Sequence, residues 1–83
     1  MLSLDVQPRR SIAQVRKEAR LYFAETLGLD EGDTPEARRM IFMGAGGYVS
    51  LEFSNNTAET APTVLMHTRE FEGQVREFAR LIE

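Results

Sequence analysis

The sequence predicts an α+β fold: an antiparallel sheet of three to four strands with two amphipathic helices on one face, in the order β-α-β-β-β-α. Three observations predict it. Two segments carry apolar residues at helical spacing, short runs around them alternate or are continuously apolar at strand length, and Gly, Pro, Asn and Asp mark the breaks. Two helical stripes and one strand face bury one another most simply as two layers. The 83 residues make one small domain spanning 1–83.

Leu2, Leu4 and Val6 alternate with Ser3 and Asp5, the period of a half-buried strand, and Pro8 ends it because it has no amide to donate. Ser11-Ile12-Ala13-Gln14 has the form of a capping box. The helix that follows runs to about Leu27, with Gly28 as its left-handed cap and Leu29 folding back on the last turn. Ile12, Val15, Ala19, Tyr22, Phe23 and Thr26 share its buried face, and Leu21 points to water.

Asp30 to Pro35 reads as an acidic, turn-rich connection. The next run, Met40-Ile41-Phe42-Met43, is read as a strand, joined by Gly44-Ala45-Gly46-Gly47 to the alternating strand Tyr48–Phe53. A short extra helix over 35–43, capped by Thr34, is the alternative. Residues 55–62 read as a loop and Thr63–His67 as a further strand. Thr68 then caps the last helix, with Glu70 and Glu72 in its first turn and a stripe of Phe71, Val75, Phe78 and Ile82 flanked by Ala79 and Leu81.

Composition excludes several function classes. With no cysteine there is no disulfide framework and no thiolate metal site, and the single His67 leaves only carboxylates to complete a metal centre. No metal and no cofactor are expected. No segment reaches the roughly 20 apolar residues of a membrane span, and the first residues lack the features of a secretion signal. The expectation is a cytoplasmic protein.

The glycine run Gly44–Gly47 leads into a strand and not into a helix N-terminus, so it reads as hairpin geometry and not as a phosphate loop. His67 has no nucleophile or oxyanion donor placed beside it by the sequence, and the acidic loop lacks the spacing of a calcium site. A non-enzymatic protein is expected.

The net charge of −3 is unevenly spread. Arg9, Arg10, Arg16, Lys17 and Arg20 give the first twenty residues a local excess of positive charge, a candidate phosphate-contacting cluster. The αβββα portion resembles double-stranded-RNA-binding domains in element order. It departs from them at the last helix, which begins Arg69-Glu70-Phe71-Glu72 where those domains carry a basic cluster.

The stronger signal is the central hairpin. Met40 and Phe42 point one way and Ile41 and Met43 the other, so helices on one face leave apolar side chains on the other. Met40, Ile41, Phe42, Met43 and Tyr48 form the candidate partner-binding set, and the partner is another protein or a second copy in a homodimer. In size and element order the chain is similar to small phage-encoded inhibitors such as some anti-CRISPR proteins, which are short, cysteine-poor, often acidic α+β chains. That resemblance implies a protein that binds and blocks a partner macromolecule. A nucleic-acid-binding regulator using the N-terminal Arg/Lys cluster is the alternative.

Overall fold

Alternating side chains in the middle of the chain build a hairpin, and the other strands add to its two sides. The computed structural model describes residues 1–33, 38–44, 46–54 and 63–83. In chain order the elements are β1 (Leu2–Val6), α1 (Ile12–Ala19), β2 (Asp30–Glu31), β3 (Arg39–Gly44), β4 (Gly47–Ser54), β5 (Thr63–Arg69) and α2 (Glu72–Ile82). All strands pair antiparallel in one sheet of order β1-β5-β4-β3-β2. The fold is α+β, as the sequence predicts, with β2 as a fifth strand.

Register explains the core. Met40, Leu51, Met66 and Leu4 form one row across the sheet, Phe42, Val49, Thr68 and Leu2 the next, and Phe53, Val64 and Val6 a third. Because side chains alternate along a strand, these rows share a face. The helices cover that face with Val15, Ala19, Phe23, Val75, Phe78, Ala79 and Ile82, all buried. Tilted ring contacts tie the layers together: Phe23 lies 5.4 Å from Phe42 and 5.0 Å from Phe78, centroid to centroid.

The first helix begins as expected, the Ser11 hydroxyl accepting a bond from the Gln14 amide at 3.2 Å. Its second half differs. From Arg20 to Thr26 it is a π-helix, in which each turn is wider and amides bond five residues back, as Leu27 N–H does to the Tyr22 carbonyl. The wider turn breaks the helical period, so Thr26, expected on the buried face, is exposed and donates its hydroxyl to the Leu21 carbonyl. Gly28 ends the segment at φ +75°, and Leu29 folds back into the core with its amide on the Phe23 carbonyl.

The segment from Arg39 is a strand, so the alternative helix over 35–43 is excluded from Arg39 onward. Its start, with Thr34 and Pro35, lies outside the described residues, as does the expected loop at 55–62. The hairpin glycines have separate reasons. Gly44 pairs with Gly47, Gly46 sits at φ +82°, and a Cβ at Gly47 would collide with the Arg69 carbonyl.

β5 runs two residues past the expected strand. Thr68 is therefore a strand residue, fully buried, and not a helix cap. Glu70 turns the chain at φ +80°, Phe71 occupies the N-cap position without a side-chain bond, and Glu72 is the acidic residue of the first turn. Leu81, expected beside the buried stripe, is exposed. Among the described residues no helix is long and apolar enough to cross a membrane.

Candidate functional site

The face of the sheet away from the helices is read off the same registers. Asp30, Met43, Tyr48 and Arg69 form one row, Ile41, Ser50, His67 and Ser3 the next, and Arg39, Glu52, Leu65 and Asp5 a third. Met43 and Tyr48 are directly opposed, and Ile41 lies beside them two residues along β3. These three form one apolar cluster, with Met43 48% exposed and Ile41 and Tyr48 half-buried. Charges bracket it: Asp30 and Arg69 at the ends of its own row, and the paired Arg39 and Glu52 beyond Ile41.

The cluster is held from the side by the chain after β2. The Gly32 amide donates to the Ile41 carbonyl at 2.7 Å, continuing the β2 edge by one bond. A Cβ at Gly32 would meet the Ile41 Cγ2 at 2.6 Å, so the absence of a side chain lets Ile41 rest on the backbone there. The first two residues of the expected acidic connection, Asp30 and Glu31, thus form an edge strand, and Gly32 after it braces the face.

The structure divides the sequence-predicted set. Ile41, Met43 and Tyr48 lie together on the open face. Met40 and Phe42 do not: they are 1% and 0% exposed in the core under the helices. Alternation along β3 forces this split, since a partner surface can take only one side of a strand.

The basic cluster is partly engaged within the molecule. Arg20 forks onto Glu31 at 2.8 and 3.2 Å, and that carboxylate raises the Arg20 pKa above its ordinary value through the hydrogen bond and then its charge. Arg10 meets Glu18 at 3.4 Å and donates to the Leu81 carbonyl. The Arg16 guanidinium lies 5.7 Å from the Phe53 ring centroid, a cation–π distance. Arg9 and Lys17 are exposed. Three of the five side chains therefore already hold intramolecular partners.

Sequence reasoning missed two arrangements. The Ser3 hydroxyl and His67 Nδ1 are 2.8 Å apart across β1 and β5, a pair separated by 64 residues that only strand register brings together. Among the described residues no carboxylate bonds the ring, and the pair lies on the sheet face away from the helices. The second is a cleft of about 290 Å³ on the helix side, where Leu21 and Leu81 flank Tyr22 and Phe78, with Arg10 and Glu18 at its rim. Burial pushes the Tyr22 phenol above its ordinary pKa, and the Glu77 carboxylate adds to the shift. The exposed Leu21 was the sequence signal for this cleft. No family model, curated protein or solved structure matches the chain.

Proposed function

We propose that this protein is a small non-enzymatic interaction module that occupies a surface of another protein through the open face of its sheet. One observation carries the reading: the contiguous apolar cluster Ile41, Met43 and Tyr48 stands on the face that neither described helix covers, with charged residues around it. An apolar centre with a polar rim is the anatomy of a protein-binding patch, and Met and Tyr are enriched in such centres. A binder that masks its partner in this way would act as an inhibitor, the role implied by the resemblance in size and element order to small phage-encoded inhibitors. The cytoplasm is the compartment this reading assigns, on the absence of cysteine.

The test is capture of partners from the native host with the wild-type chain, Met43→Glu, and Leu21→Glu as a control on the helix side. Capture lost in Met43→Glu and kept in Leu21→Glu supports the open face. The reverse pattern assigns the partner to the helix-side cleft and overturns the reading. Enrichment of the chain itself as the only Met43-dependent species would make a second copy the occupant.

A further inference from the structure

The two edges of the sheet are unlike each other. One is β2, two residues long and both acidic. Laid against a second copy of itself it would oppose carboxylates, which defends it from pairing. The other is β1, five residues long, alternating apolar and polar, with Asp5 as its one charge. Edges of this kind are usually blunted by Lys, Pro or a bulge. β1 carries no Lys, its Pro8 lies beyond the strand, and its pairing with β5 runs unbroken from Leu2 to Val6.

Among the described residues β5 is the only strand neighbour of β1, so the outer row of β1 amides and carbonyls points away from the sheet. Its core-side residues are incompletely covered. Val6 is buried, whereas Leu2 and Leu4 pack on the core and remain only half-buried.

We infer that β1 pairs with β1 of a second copy of this chain, antiparallel about a two-fold axis through Leu4, joining the two sheets into one. This centring sets Leu4 against Leu4 and Leu2 against the second copy's Val6, covering the two half-buried leucines. On the open side it sets each Asp5 carboxylate across from a neutral Ser3, whose hydroxyl keeps its contact with His67, so no like charges are opposed. Shifting the centre to Asp5 would oppose two carboxylates. The pairing uses the edge of the sheet and not its face, so it stands apart from the proposed partner surface. Because the two-fold axis is normal to the sheet, both open faces come to lie on the same side.

Two five-residue strands make a small interface, so the dimer is weak and exchanges rapidly. Sedimentation velocity across a concentration series tests this, with circular dichroism to verify each fold. Ser3 and Asp5 are exposed, so charge can be changed there without touching the core. Ser3→Asp opposes carboxylates at two symmetric positions and weakens the dimer about tenfold. Ser3→Lys strengthens it. Adding Asp5→Lys to Ser3→Asp returns the Kd toward the wild-type value, because the new carboxylate at position 3 faces the new ammonium at position 5. Met43→Glu leaves the Kd unchanged. A wild-type chain that stays monomeric at millimolar concentration overturns the inference. So does a Kd that moves the same way in Ser3→Asp and Ser3→Lys, or a dimer lost in Met43→Glu and kept in both Ser3 variants.

Discussion

The Thr68 hydroxyl donates to the Tyr48 carbonyl at 2.8 Å, tying the end of β5 to the start of β4 beneath the helices. Thr68 is the one fully buried polar residue among those described, and this bond satisfies it. Replacing Thr68 with Val keeps the shape and removes the donor. The expected cost is about 1–2 kcal/mol, read as a lower urea midpoint at unchanged slope.

The split of β3 separates two neighbouring substitutions. Met43→Glu places a charge on a half-exposed open-face position and leaves the chain folded. Phe42→Glu forces a carboxylate into the core against Phe23, at a cost on the order of 5 kcal/mol, which matches the whole stability of a small domain. Urea melts of the two variants should therefore differ sharply, Phe42→Glu lacking a cooperative transition.

Two glycines in ordinary secondary structure respond in opposite directions. Gly73 lies exposed on α2 with open space where a Cβ would stand, so Gly73→Ala stabilises by about 1 kcal/mol. Gly47 is crossed by the Arg69 carbonyl, the Glu70 Cβ and the Phe71 ring, so Gly47→Ala forces the backbone apart and costs about 1–3 kcal/mol. Thermal melting of both variants measures the contrast.

Stability should decline at high pH through Tyr22. Folding raises its pKa, chiefly by burial and then by the Glu77 charge, so the folded chain holds that proton longer than the unfolded chain. The contribution is full below the ordinary tyrosine range, near about pH 10, and is lost as pH rises through it, where the unfolded chain ionises first. Urea midpoints between about pH 9 and 11 should fall more steeply for the wild type than for Tyr22→Phe.

Much of the fold was legible because local patterns and tertiary demands agree. The 2.0 period of β4, the Ser11 cap and the Gly28 stop are each written in a few adjacent residues. The open face was legible in part: alternation sets Ile41 and Met43 opposite Met40 and Phe42, but a continuously apolar run does not announce which side is buried. Thr68 was misplaced for a different reason. A Thr before a helical stripe satisfies the cap pattern, and only the Tyr48 carbonyl, twenty residues away, makes the strand position better.

The sequence by itself determined the α+β class, the order of its main elements and the existence of an apolar hairpin, because periodicity and turn residues act over a few positions. Only the tertiary structure decided which side of that hairpin is covered, that Asp30 and Glu31 form an edge strand, and that Ser3 meets His67. Those outcomes depend on register between segments far apart in the chain, and register is selected by packing of the whole core.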